Sequence, residues 1–187
     1  MTGCIALLGG GHSSPTVAGG GGGSFNAADY GTVLAWYDFT DSSKVQDNVG
    51  ASVGNGGSVD RVVDKSANLK DARQTSSSNR PTVITNALNG KQVLNFDGTD
   101  DLLQLPSSLS LFKNLAGMTI VTVDNQDTLT ANQAVFSVPN STGARVRFRH
   151  LGTDGQWTVS IKAQDGGTDD EYYSGGGNVP TADIWYI

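Results

Sequence analysis

Asn89-Gly90-Lys91-Gln92-Val93-Leu94-Asn95-Phe96-Asp97-Gly98-Thr99-Asp100-Asp101-Leu102-Leu103 is the stretch on which the fold turns. Asn-Gly is a tight-turn signal, because both residues tolerate the left-handed backbone that a two-residue hairpin needs. The run that follows, from Lys91 to Asp97, alternates with period two, as a strand does. It ends in a glycine- and aspartate-rich turn, in which short carboxylates bond to nearby backbone N–H groups. Asp101 to Leu105 then reads as a short strand that stops at Pro106.

The same pattern repeats outward in both directions. Thr32 to Phe39 reads as a buried strand, and Ser58 to Asp64 alternates in part. Downstream, Met118–Val123, Ala134–Val138, Arg145–Arg149 and Gln156–Lys162 are short β-type runs separated by Gly, Asn, Asp and Ser. In Arg145–Arg149 three arginines fall on one face and Val146 and Phe148 on the other. Trp157, Val159 and Ile161 share a face in the next run. Helical signal is confined to Leu109–Leu115, enough for one or two turns. Many short strands between turn residues predict an all-β chain, a two-sheet antiparallel jelly-roll sandwich rather than a closed barrel.

Residues 1–31 differ from the rest. They hold ten glycines and a single formally charged side chain, Asp29. Such a composition buries too little apolar surface to offset chain entropy. The expected organisation is a flexible Gly-rich N-terminal arm over 1–31, followed by a sandwich domain over 32–187. The apolar tip of the arm, Ile5, Leu7 and Leu8, is its candidate assembly anchor.

Composition excludes several functions. A net charge of −6 with 12 Lys+Arg lacks the basic face that nucleic-acid binding requires. One cysteine, Cys4, rules out an internal disulfide framework and a multi-cysteine zinc site. His12 and His150 are too far apart in sequence for a metalloprotease motif. The longest apolar runs are far short of a membrane-spanning length, and the N-terminus lacks the basic and hydrophobic regions of a signal peptide. Membrane insertion and classical export are therefore not expected.

Two segments resemble a known family. Val33-Leu34-Ala35-Trp36-Tyr37-Asp38-Phe39-Thr40-Asp41-Ser42-Ser43 with Val63-Asp64-Lys65-Ser66-Ala67-Asn68 is the first. Arg80-Pro81-Thr82-Val83, then Asn89 to Leu103, is the second. Together they resemble the opening half of laminin-G-like, concanavalin A-like jelly-roll domains, over about residues 32–125. Two family glycines are replaced here by Ala67 and Leu69. Domains of this kind extend beyond the strand that Asp183–Ile187 resembles, which implies a domain incomplete at its C-terminus. The form with a Gly-rich leader is similar to domains of bacteriophage structural proteins. That resemblance implies a non-enzymatic virion protein, a head or tail decoration made in the host cytoplasm, with other virion proteins as partners in a multimeric assembly. The alternative it implies is a carbohydrate-binding receptor-recognition or adhesin module.

Candidate chemistry is sparse. Asp97, Asp100 and Asp101 form the densest acidic cluster and are the candidate calcium ligands, although turn-building explains them as well. Asp169-Asp170-Glu171 reads as solvated loop charge, since adjacent acids on a strand point to opposite faces and make no catalytic pair. No phosphate loop occurs, and neither His12, in the Gly-rich arm, nor His150, at the end of an Arg-rich strand, marks a catalytic base. Catalytic residues and an organic cofactor are therefore not expected. Arg145, Arg147 and Arg149, with Tyr172, are the candidate contacts for an acidic or glycan ligand.

Overall fold

The computed structural model describes residues 2–9, 32–105, 118–125, 133–139, 145–151, 156–162, 170–173 and 185–186. The pairings β1–β2, β1–β7, β3–β4, β4–β5, β6–β7, β8–β13, β9–β10, β10–β11 and β11–β12 are all antiparallel, and the all-β expectation holds. The chain divides into two compact units, Thr2–Val123 and Asp124–Ile187. That division does not coincide with the expected boundary between residues 31 and 32.

β1 (Thr2–Gly9), β2 (Thr32–Asp38), β6 (Thr82–Leu88) and β7 (Lys91–Asn95) of the first unit share a sheet with β8 (Met118–Asn125), of which Met118–Val123 belong to this unit. Its order is β8-β1-β7-β6, with β2 also paired to β1. β3 (Val45–Gln46), β4 (Arg61–Val62) and β5 (Ala72–Arg73) form a small second sheet. Leu34, Ala35, Tyr37, Phe39, Val45, Val59, Val62, Ala72, Val83, Val93 and Leu94 are buried and make up the core.

The β6–β7 hairpin turns at Asn89-Gly90, with φ of 47° and 76°, the left-handed pair that the dipeptide predicts. β6 itself escapes a period-two reading because Asn86, at φ 57°, interrupts its register between Ile84 and Leu88. In β7, Gln92, Val93 and Leu94 are all buried, so the strand is covered on both faces rather than alternating. The Gln92 amide is accommodated by donating to the Phe39 carbonyl at 3.0 Å.

The outer edge of β6 is covered. Gly56 N–H donates to the Val83 carbonyl at 2.7 Å, and Val83 N–H donates to Gly57 at 3.0 Å. Such cover keeps an edge from templating another chain. Gly57 is required by close approach, since a Cβ there would lie 2.6 Å from Cγ1 of buried Val53.

One expectation fails at the N-terminus. Thr2–Gly9, read as part of a disordered arm, is an eight-residue strand in register with β2, pairing Cys4 with Asp38, Ile5 with Tyr37, Leu7 with Ala35 and Leu8 with Val33. Its run of uncharged residues finds backbone partners in β2, which supplies what the segment lacks alone.

The second unit holds β9 (Gln133–Pro139), β10 (Arg145–Leu151), β11 (Gln156–Lys162) and β12 (Asp170–Tyr173) in the order β12-β11-β10-β9. Phe148 and Trp157 stack across it with centroids 4.8 Å apart. Asp170 and Glu171, expected in a loop, are in β12, where they pair with Ile161 and Ser160. β13 (Trp185–Tyr186) pairs with Asn125 and Asp124. The predicted helical turn at 109–115 lies outside the described residues.

Candidate functional site

Two buried aspartates, Asp64 and Asp60, each anchor a network of hydrogen bonds in the first unit. Asp64 is 3% exposed and uses both carboxylate oxygens. Its Oδ1 accepts Trp36 N–H at 2.9 Å and Ser66 N–H at 2.8 Å. Its Oδ2 accepts the Ser66 hydroxyl at 2.7 Å and Lys70 N–H at 2.9 Å. Asp71 continues the chain of bonds, accepting Asp64 N–H at 3.0 Å on one oxygen and Arg61 Nε at 2.8 Å on the other. The Tyr37 hydroxyl donates to the Lys70 carbonyl. Burial, and then the negative charges of Asp64 and Asp71, push the Tyr37 phenol far above its ordinary range.

Lys65 lies on the rim of this network. Its ammonium is 2.9 Å from Asp38 and 3.7 Å from Asp41, and 4.5 Å from the centroid of the Trp36 ring. Desolvation pulls its pKa down, but the hydrogen bond and charge of Asp38, together with Asp41, outweigh that and leave it raised. Asp41 caps the short helical turn Ser42–Lys44. Hydrogen bonding from Ser43 is the main reason its carboxyl lies below its ordinary value.

The second centre is Asp60, 5% exposed. Arg80 Nη2 reaches it at 2.7 Å while also donating to the Thr75 carbonyl, and Arg80 Nε donates to the Gln74 carbonyl at 2.8 Å. Arg73 stands at the edge, 3.8 Å away. The sequence reading did not single out Asp60, Asp71 or Arg80 for this work. The available signal was two aspartates set among the valines of Val59-Asp60-Arg61-Val62-Val63-Asp64, since charge on a buried run has to be paired.

Ligand groups of Asp97, Asp100 and Asp101 lie within 4.8 Å of one another. Asp97 Oδ1 accepts Thr99 N–H at 2.8 Å and Asp100 N–H at 3.2 Å. Asp101 Oδ2 accepts Asp97 N–H at 2.9 Å. The bond from Thr99, helped by those from Asp100 and Asp101, holds the Asp97 carboxyl below its ordinary value. Burial, with the charges of Asp97 and Asp100, raises that of Asp101. These bonds build the turn. The oxygens left over on three largely exposed carboxylates are hard donors of the kind calcium takes.

The remaining candidates fall in different places. Ile5, Leu7 and Leu8 sit on β1, in register with the chain's own β2. Arg147 and Arg149 are half-buried rather than a solvated stripe, and the Thr158 that pairs with Arg149 is 1% exposed. Tyr172 pairs with Val159, which pairs with Phe148, whereas Tyr173 shares the register row of Thr158 and Arg149. Rows alternate between faces of a sheet. Tyr172 therefore lies in the register row of Phe148 and not in that of Arg149. His12 lies outside the described residues.

No family model, curated protein or solved structure matches this chain.

Proposed function

We propose that the chain is a non-enzymatic structural component of a bacteriophage particle, a head or tail decoration built on a concanavalin A-like jelly roll. One observation carries the structural half of this reading. Asp38, Asp60, Asp64, Asp71, Lys65 and Arg80 are spent on one another and on the chain's own backbone, where they hold loops to strands. Side chains committed in this way stabilise a fold and are poorly placed to move protons for a substrate. The phage context is supported by the resemblance of residues 33–43, 63–68 and 80–103 and by the Gly-rich leader. Other virion proteins are the expected partners.

Mass spectrometry of particles purified from a lysate of the strain that carries this gene tests the reading. Recovery at a fixed ratio to the major particle protein is expected. Absence from particles whose other proteins are all detected overturns it. A specific hit on a glycan array, obtained with protein absent from particles, would favour the carbohydrate-binding alternative. Simple deletion of the N-terminal arm is not a clean test, because it removes β1 from its sheet.

A further inference from the structure

The chain contains two Asn-Gly pairs, Asn55-Gly56 and Asn89-Gly90, and the fold treats them differently. In such a pair the backbone nitrogen of the glycine can attack the side-chain amide carbon of the asparagine. Glycine has no Cβ to hinder the approach and lets the backbone rotate into it. The first pair is held at both reacting groups. Gly56 N–H, which would have to be freed as the nucleophile, donates to the Val83 carbonyl at 2.7 Å. The Asn55 side chain, which carries the electrophilic carbon, accepts Thr85 N–H at 2.9 Å and the Thr85 hydroxyl at 3.2 Å through Oδ1. Both clamps come from β6, and the bond from Val83 N–H to the Gly57 carbonyl reinforces them.

The second pair has no such clamp. Asn89 and Gly90 are both exposed, and a Cβ placed on Gly90 would meet nothing within 4 Å. Among the described residues neither the Asn89 side chain nor the Gly90 N–H makes a hydrogen bond. Ring closure requires the Asn89 backbone to rotate out of the tight turn. That turn is closed by one paired position, Leu88 with Lys91, and the register is interrupted between it and the pairing of Ile84 with Val93. The hairpin tip can therefore open locally while the buried Val93 and Leu94 stay in place.

We propose that Asn89 is a self-modification site of the folded protein, converting to aspartate and isoaspartate with water as the only co-reactant, while the fold preserves Asn55. The Gly90 nitrogen bonds to Cγ of Asn89 and gives its proton to solvent. The bond from Cγ to the side-chain nitrogen breaks, and ammonia leaves. Water then opens the cyclic imide at either carbonyl. Attack at the side-chain carbonyl gives aspartate, and attack at the main-chain carbonyl gives isoaspartate, whose chain runs through the former side chain. Nothing is oxidised or reduced. Either product takes the net charge from −6 to −7. Isoaspartate also adds a methylene to the main chain, in a turn whose φ angles of 47° and 76° belong to a two-residue connection. The tight Leu88–Lys91 closure is then lost. The inference goes beyond the virion reading and does not need it.

The test holds the natural, folded chain in mildly alkaline buffer, which favours the attacking amide anion but stays below the pH at which Tyr37 ionises in the unfolded state. A parallel sample is held unfolded in guanidinium chloride. Peptide mapping with fragmentation reads each asparagine over time. In the folded chain Asn89 should convert about ten-fold faster than Asn55, the ratio expected when Asn55 must release about two further net hydrogen bonds. In the unfolded chain the two pairs should convert at similar rates. Equal conversion of the two in the folded chain overturns the proposal. So does an Asn89 that stays intact when folded but converts when unfolded. Isoelectric focusing of the intact protein gives a second readout. A more acidic band should grow in during the incubation and should be slowed strongly by Asn89→Gln, and growth at an unchanged rate in that variant overturns Asn89 as its source. Neither experiment involves a particle, so failure here leaves the virion reading standing, and the reverse also holds.

Discussion

The carboxylate of Asp64 accepts the backbone N–H of Trp36, 28 residues earlier, at 2.9 Å. The bond ties strand β2 to the loop that follows β4, and Asp64 makes three more to Ser66 and Lys70. Asp64→Asn keeps the shape but turns one oxygen into a donor that faces donors. Two of the four bonds are lost and buried N–H or O–H groups are stranded, each at a cost of about 1–3 kcal/mol. Urea unfolding should show a loss of about 3 kcal/mol. A loss under 1 kcal/mol would remove Asp64 from the centre of the network.

Leu69 occupies a position where the resembled family has glycine, and it holds φ at 53° with its side chain 75% exposed. A left-handed backbone costs an L-residue roughly 1–2 kcal/mol, and the exposed side chain recovers little of that by packing. Leu69→Gly should therefore stabilise the protein by about 1 kcal/mol, even after the extra chain entropy of glycine is counted. Thermal unfolding reads this directly, and a lower melting temperature would mean that Leu69 is held by contacts that outweigh its strain.

Leu69 also marks the limit of the sequence reading. Ala67 and Leu69 stand where the resembled family has glycine, yet the backbone at Leu69 adopts the left-handed conformation, because Asp64 and Asn68 fix the residues around it. Strands with clean alternation, such as β10 and β11, were legible, as was the Asn89-Gly90 turn. β6 was not, because Asn86 breaks its period. β1 was hidden by its glycine-rich surroundings, and only its partner β2 makes it a strand. β12 was obscured by its acidic start. The buried ion pairs were invisible for a different reason: pairing Asp60 with Arg80, 20 residues apart, is a property of the fold and not of any local pattern.

Arg80 carries more than a charge. It neutralises buried Asp60 and satisfies two carbonyls, those of Gln74 and Thr75. Arg80→Ala leaves the buried Asp60 carboxylate with only the more distant Arg73, 3.8 Å away, and should cost about 3 kcal/mol. Arg80→Lys retains the charge but not the planar fork, so it should recover only part of that loss. Chemical denaturation of the two variants tests the ranking. If lysine restored full stability, the carbonyl bonds would be unimportant.

Tyr37 makes the fold sensitive to alkali. Its folded-state pKa is raised by burial and by the charges of Asp64 and Asp71, while the unfolded chain titrates near 10.0. The unfolded state therefore releases its proton first, and the stability contribution, complete below pH 10, falls as pH rises above it. The slope for one such group is about 1.4 kcal/mol per pH unit. Lys65, also raised, adds a loss of the same sign above its ordinary 10.5. Tyr37→Phe removes the hydroxyl bond to Lys70 and should be less stable at pH 7, but its stability should decline less steeply between pH 10 and 11.5. Parallel curves for the two proteins would exclude Tyr37 as the cause.

Asp97 and Asp101 separate turn-building from ion binding. Asp97→Ala removes the acceptor for the N–H groups of Thr99 and Asp100, and it should lower the melting temperature by the same amount in chelator and in millimolar calcium. Asp101→Asn should not lower it at pH 7. Its carbonyl can still accept Asp97 N–H, and the substitution relieves the burial and repulsion that raise the Asp101 pKa. Sign and pH agree here: an aspartate with a raised folded-state pKa contributes most below its unfolded value of 3.8 and costs stability once ionised. Calcium would reverse the pattern by favouring the ionised form and linking its own binding to folding. A calcium-dependent rise of several degrees in the natural protein, lost in both variants, would make the three carboxylates an ion site rather than a turn.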